Sequence, residues 1–228
     1  MIQIKTFSDD RLDAICSYCG NVADTRDHVP SKILLDEPYP ENLPVVPCCL
    51  KCNNEISLDE EYFACMLECL ICGTVEIEKL SRQKIKNVLN KRKTLHRRLS
   101  NSIVHKDSDA FLNLETERLR RVFIKLAKGH MRYENGEPII DEPSYLSYKP
   151  LSFMTAQERM FFFALEKVDI FPEVVSRAMI KMVESNATCF SWENIQPDTY
   201  SYAVDTTAFI VKIVIRNYMS IEVRWSTH

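Results

Sequence analysis

Two short cysteine pairs carry the clearest chemical signal in the chain: Cys16-x-x-Cys19, followed by Gly20, and Cys49-x-x-Cys52. Two residues between thiols let both sulfurs of a tight turn reach one ion at about 2.3 Å, and two such knuckles complete a closed tetrahedral zinc site. Four thiolates leave no open position for water. This zinc is therefore expected to be structural, fastening a segment with too little core to fold alone. Cys48 competes for the role, because Cys48-x-x-x-Cys52 could also chelate, but the spacing of the first knuckle favours Cys49. Cys65, Cys69 and Cys72 recur at i, i+4 and i+7 and read as the apolar stripe of a helix rather than as a second metal site.

The 29 residues between the knuckles exceed the roughly 15 to 20 of a simple zinc ribbon, so this loop carries something more. It holds Asp27-His28-Val29-Pro30 and then Glu41-Asn42-Leu43, and Asn53 and Asn54 follow the last cysteine directly. In this order and between these knuckles, the residues resemble the HNH endonuclease family, the ββα-metal nucleases with a treble-clef-like, zinc-stapled module, over residues 16–63. The resemblance puts the three name-giving positions at His28, Asn42 and Asn53. It implies that Asp27 and Asn53 hold a Mg²⁺ or Mn²⁺ ion, a hard cation suited to carboxylate and amide oxygens, at the scissile phosphate and its departing 3′ oxygen. It further implies that His28, whose imidazole titrates near neutral pH, is the general base, and that Asn42 holds His28 in its attacking orientation. Two departures from the family pattern stand out. The stretch from Leu43 to Cys52 contains Pro44 and Pro47 and is longer than a minimal version, and Asn fills the third position, with Asn54 fitting if the register shifts by one. Asp59, Glu60 and Glu61 read as helix-start residues more readily than as further metal ligands.

Charge is segregated behind a formal net of -3. Residues 79–98 hold nine basic side chains and no acid, among them Lys84, Lys86, Lys91, Arg92, Lys93, Arg97 and Arg98; residues 118–132 hold six more, including Arg120 and Arg121, again with no acid. The rest of the chain is strongly acidic and should repel DNA while these runs attract it. A solvated helix face is the competing reading of such runs. The low overall charge implies modest unaided affinity, so a protein partner or a particular DNA structure is expected to direct binding.

These residues must be positioned by elements that the pattern partly reveals. Residues 14–56 read as a compact irregular module. Ser57 and Glu60 fit a capping box that starts a helix, and Gly73 ends it. Further helices are expected over 77–100, 108–130, 155–168, with Thr155 and Glu158 as a second capping box, and 172–185, with Pro172 in the first turn. Residues 133–152 read as a long connection. Strands over 199–204, 208–216 and 219–225 suggest an antiparallel meander with one buried face, in which Tyr200, Tyr202 and the nearby Trp192 are expected as core rather than as base-stacking groups. The fold class is thus α+β: a zinc-stapled ββα module over residues 1–75, then a mainly helical region over 76–228 that ends in a small antiparallel β-meander and serves as a DNA- or partner-binding domain.

Composition excludes other classes. Only four glycines occur, none close enough together for the phosphate-cradling loops of dinucleotide- or nucleoside-triphosphate-binding folds. The start, residues 1–13, is polar, and the longest apolar run, residues 160–165, is far below the roughly 20 residues of a membrane span. Nine cysteines without a leader-like start argue for reduced thiols and a cytoplasmic setting. The expected function is a metal-dependent DNA endonuclease, in restriction or anti-phage defence by family habit. The alternative is a non-catalytic zinc module that binds nucleic acid or a protein partner.

Overall fold

A computed structural model describes residues 10–106, 109–112, 114–165, 172–174, 176–185 and 190–226. The strands and helices run β1 (Thr25–His28), β2 (Val45–Cys48), α1 (Leu50–Cys72), α2 (Gln83–Lys91), α3 (Lys93–Asn101), β3 (Ile103–Lys106), β4 (Asp109–Leu112), α4 (Thr116–Asn135), β5 (Tyr145–Pro150), α5 (Ala156–Phe163), α6 (Arg177–Ser185), β6 (Glu193–Gln196), β7 (Tyr200–Asp205), β8 (Ile210–Ile215) and β9 (Met219–Arg224). The chain is α+β, as expected. No helix among the described residues is long and apolar enough to cross a membrane.

The chain parts into two compact units, Met1–Glu55 with Phe123–His228 and Ile56–Val122. Helix α1 leads out of the first unit and α4 returns to it, so the expected break after residue 75 is not where the units divide.

In the first unit, β1 and β2 form an antiparallel hairpin with His28 opposite Val45 and Thr25 opposite Cys48. The other sheet is five-stranded and antiparallel, in the order β5-β9-β8-β7-β6. Local chemistry sets its corners: between β7 and β8, Asp205 Oδ1 accepts from the Thr207 and Ala208 N–H groups at 2.9 and 2.8 Å, an Asx turn that reverses the chain. Ile213, Ile221 and Val223 are wholly buried. The meander is not one-sided, however. Val214, on the opposite face, packs with Leu151, Phe162 and Trp192, so α5 and its approach cover the second face. Tyr200 and Tyr202 are core residues, each 1% exposed; Tyr202 stacks on His130 at 3.9 Å, and the Tyr200 hydroxyl lies 2.8 Å from His130 Nε2.

Helix α4 explains much of this unit. From Val122 to Asn135 every residue is buried, so the helix is enclosed on all sides. The Asp36 loop is tied to the sheet by Arg216, whose Nη2 lies 2.6 Å from each Asp36 carboxylate oxygen. Gln196 reinforces that tie by pairing its amide with the Asp36 main chain at 2.9 and 3.0 Å.

In the second unit, Asp59 is gripped by two arginines of α4, Arg118 at 2.6 Å and Arg121 at 2.7 Å. Glu68 Oε1 accepts from the backbone N–H groups of Ser81 and Arg82, both at 2.8 Å, and so satisfies donors just before α2. Cys65 and Cys69 are buried, and burial pushes the Cys69 thiol up to about 12. They behave as core residues, and the only metal-like cluster among the described residues does not include them.

Several element boundaries differ from expectation, each for a physical reason. Helix α1 begins at Leu50, so Ser57 lies inside it and forms no cap; the first donor, the Leu50 N–H, is met at 2.7 Å by Asp24 from across the hairpin. Gly73 does end the helix: it takes φ +64°, and the Thr74 N–H reaches back to the Cys69 carbonyl at 3.1 Å. The helix expected over 77–100 breaks at Arg92, because the Ile85 and Leu89 stripe would next need apolar residues where Arg92 and Lys93 stand. Residues 103–106 and 109–112 form the β3–β4 hairpin rather than the start of a helix. The supposed connection 133–152 contains the end of α4 and all of β5, whose Pro150 is tolerated because β5 is an edge strand. The Thr155–Glu158 capping box is present in full, with α5 ending at Phe163; residues 166–168 of the expected helix lie outside the described residues, as do 108 and 175. Helix α6 starts at Arg177, later than Pro172 suggested.

Candidate metal centre

Each knuckle is held by short-range backbone bonds. Gly20, at φ +75°, closes the first turn with its N–H on the Cys16 carbonyl at 3.0 Å. Ser17 fastens that turn to β2: its N–H and hydroxyl both donate to the Pro47 carbonyl, at 3.0 and 2.7 Å. In the second knuckle, at the junction of β2 and α1, the Cys52 N–H points at the Cys49 sulfur at 3.4 Å.

Together these turns bring the sulfurs of Cys16, Cys19, Cys49 and Cys52 within 4.8 Å of one another. Cys19 and Cys49 lie 3.7 Å apart, close to the roughly 3.8 Å edge of a tetrahedron with arms of about 2.3 Å. The four sulfurs form a cluster that could hold a zinc ion. The choice between Cys48 and Cys49 is also settled, since Cys48 turns away and directs its sulfur to the Cys49 carbonyl at 3.2 Å. Burial raises the Cys48 thiol well above its ordinary range. For Cys16, burial acts upward too, but backbone hydrogen bonds from Cys49, Tyr18 and Cys19 outweigh it and bring the thiol down to about 7. Burial also holds the Cys19 and Cys52 thiols up, so metal uptake at neutral pH must release protons.

Between the knuckles, Asp27 and His28 are neighbours on β1 and therefore face opposite sides of the hairpin. His28 is half-buried. Its Nδ1 is buried and has no hydrogen-bond partner. Burial, and then the charge of Lys32, lower its pKa against the opposing pull of Asp27, so the ring is a neutral base at pH 7. Asn42 does not orient it. That amide is exposed and lines a separate cavity of about 310 Å³ with Tyr133, Arg177 and Asn194. Asn53 sits half-buried in the first turn of α1, its N–H bonded to the Cys49 carbonyl at 3.1 Å.

Asp27 has its own partners, and sequence reading missed both. Lys125 Nζ lies 2.7 Å from Asp27 Oδ2, and the Tyr18 hydroxyl donates to the same oxygen at 2.9 Å. Lys125 is 3% exposed. Like charges about 5 Å apart repel by roughly 3 kcal/mol at an effective dielectric of about 20, and a divalent ion doubles that. Asp27 therefore does not fit the part of a Mg²⁺ or Mn²⁺ ligand. No local signal singled out Lys125: its neighbours at i−4, i+3 and i+7 on the helix are Arg121, Lys128 and Arg132, so it reads as one more cation of a basic face.

The two basic runs have different fates. In the first, Lys91, Arg92, Lys93, Arg97 and Arg98 are exposed, while Lys84 and Lys86 are half-buried and Lys86 donates to the Glu78 carbonyl at 3.0 Å. Arg92 and Arg98 meet Glu61 and Glu115 at 3.1 and 3.6 Å. In the second run, Arg121 grips Asp59, Arg120 is half-buried, and Lys125, Lys128 and Arg132 are interior. That run is largely internal structure, not a solvated face. Comparison of the chain with family models, characterised proteins and solved structures yields no match.

Proposed function

We propose that the zinc-knuckle module is an HNH-type, ββα endonuclease that hydrolyses DNA phosphodiester bonds, with His28 as the general base. In this reading His28 takes a proton from water as the water oxygen attacks phosphorus in line with the departing 3′ oxygen. The P–O3′ bond breaks, its electron pair leaves with the 3′ oxygen, which takes a proton from solvent water, and a 5′-phosphate and a 3′-hydroxyl result. The observation that carries the reading is His28 itself: it ends β1 between two knuckles and before α1, and its ring is kept neutral with one nitrogen unclaimed. The exposed cations Lys91, Arg92, Lys93, Arg97 and Arg98 supply contacts of the kind a phosphate backbone needs. The resemblance also implies a Mg²⁺ or Mn²⁺ ion, but Asp27, paired with Lys125, does not fit as its ligand. A role in restriction or anti-phage defence, under a directing partner, belongs to the same proposal.

Plasmid cleavage by wild type and His28→Ala, both zinc-loaded, tests it. A loss of about 10² to 10⁴ in rate is expected on removal of a general base. The lowered pKa also sets a sign. The neutral, proton-accepting form persists below pH 6.5, so the acid limb of the wild-type rate profile should lie below that value. Equal rates for the two proteins across divalent metals would remove His28 from the chemistry.

A second reading, a non-catalytic zinc module that binds nucleic acid or a protein partner, is favoured by one observation, the Asp27 carboxylate closed off by Lys125. DNA binding that survives EDTA, with no cleavage under any divalent metal, is its signature.

A further inference from the structure

The Asp27 contact is built from three separate segments of the first unit. Tyr18 comes from the first knuckle, Asp27 from β1 and Lys125 from α4. Asp27 Oδ2 receives the Lys125 ammonium at 2.7 Å and the Tyr18 hydroxyl at 2.9 Å. The ammonium also stands 5.6 Å from the centre of the Tyr18 ring. The two charged side chains are 11% and 3% exposed. Next to them, α4 approaches β1 so closely that a Cβ on Gly129 would lie 2.7 Å from a Val29 methyl.

We propose that Lys125 supplies to Asp27 the positive charge that a divalent ion would otherwise supply, so that Asp27 is not a metal ligand and Lys125 is a positioning residue that locks the first zinc knuckle and β1 onto α4. Charge balance supports this. One carboxylate and one ammonium cancel in a site closed to water, and a dication added beside them would leave two uncompensated positive charges there. Asp27 also belongs to no cluster of three or more potential metal ligands among the described residues. A buried pair of this kind has a specific signature. Removing one partner is strongly destabilising because it strands the other charge, whereas replacing both by neutral groups is close to neutral. Lys125 holds Asp27 in this way whether or not the module cuts DNA.

The zinc-loaded full chain provides the test, with no nucleic acid present. In wild type, Mn²⁺ added during an amide NMR titration should broaden residues 25–29 no more than the surrounding chain. Lys125→Met should release zinc to a chelator roughly tenfold faster or more, and the double variant Lys125→Met/Asp27→Asn should return to within about threefold of wild type, because both charges are then gone. A role in packing alone would not produce that recovery. Should Lys125→Met fail to fold, recovery of a folded, zinc-retaining double variant carries the same meaning. Selective Mn²⁺ broadening at residues 25–29 in wild type, or a double variant no better than the single one, overturns the proposal.

Discussion

At the residue scale, identity and neighbourhood decide what each cysteine and each acid does. Cys48 and Cys49 are adjacent and both buried, yet only Cys49 turns into the four-sulfur cluster. Side-chain direction separates them: the Cys48 sulfur meets the Cys49 carbonyl at 3.2 Å, whereas the Cys49 sulfur lies 3.7 Å from that of Cys19. Cys48 faces the packed interior with Val29, Val46 and Tyr133, where a neutral thiol acts as a small hydrophobe. The expected outcome is that Cys48→Ser, purified with zinc, retains about one equivalent, whereas Cys49→Ser loses it, because only the second removes a ligand from a closed four-coordinate site. Metal analysis of the two proteins checks this, and retention by Cys49→Ser would return the ligand role to Cys48. The same logic separates Asp27 from His28: one position apart, one is enclosed with a lysine and the other keeps an unclaimed nitrogen.

At the element scale, α4 packs closely on the residue that follows β1. Gly129 has no Cβ, and the Val29 methyls occupy the space one would need, at 2.7 and 3.0 Å. Gly129→Ala would recover about 1 kcal/mol of helix propensity but force overpacking that costs typically 1–3 kcal/mol. A net loss of about 1 kcal/mol is expected in denaturant unfolding of the zinc-loaded protein; a net gain would mean that β1 yields easily. How far such elements were legible follows from what encodes them. The knuckles, the Gly73 stop and the Thr155–Glu158 box depend on residues a few positions apart, and they were readable. The true start of α1 was not, because Asp24 satisfies its first donor from 26 residues upstream. Strand β5 was hidden by flanking prolines that only an edge position tolerates. The site divides in the same way. Four cysteines that could hold one ion announce themselves by spacing, whereas the Lys125 partner of Asp27 comes from 98 residues downstream and from a run whose charge pattern suggested a solvated surface.

At the scale of the whole molecule, the question is which positive charge remains available to a polyanion when the chain carries a net charge of only -3. Folding draws in most of the second basic run. Lys125 goes to Asp27, Arg118 and Arg121 go to Asp59, Lys128 Nζ donates to the Ile140 carbonyl at 2.7 Å, and Arg132 Nη2 to the Leu12 carbonyl at 3.0 Å. The first run keeps its heads in water around the α2–α3 junction, and its pair between Arg92 and Glu61 is a surface contact of the kind worth about 0–1 kcal/mol, readily exchanged for a phosphate. Counterion release then fixes the expectation. Replacing Lys91, Arg92 and Lys93 together by Gln should lower the slope of log K against log salt by up to about 3 for duplex DNA, at roughly 0.9 per phosphate contact. Arg121→Gln should leave the slope unchanged, because that guanidinium, although half exposed, is held at 2.7 Å by the buried Asp59, which would be stranded if Arg121 turned to a phosphate. Fluorescence anisotropy across salt concentrations measures both slopes. If the triple variant keeps the wild-type slope while Arg121→Gln reduces it, the face that meets DNA is not the α2–α3 junction, and the strong internal pairing of the second run is not what governs its availability.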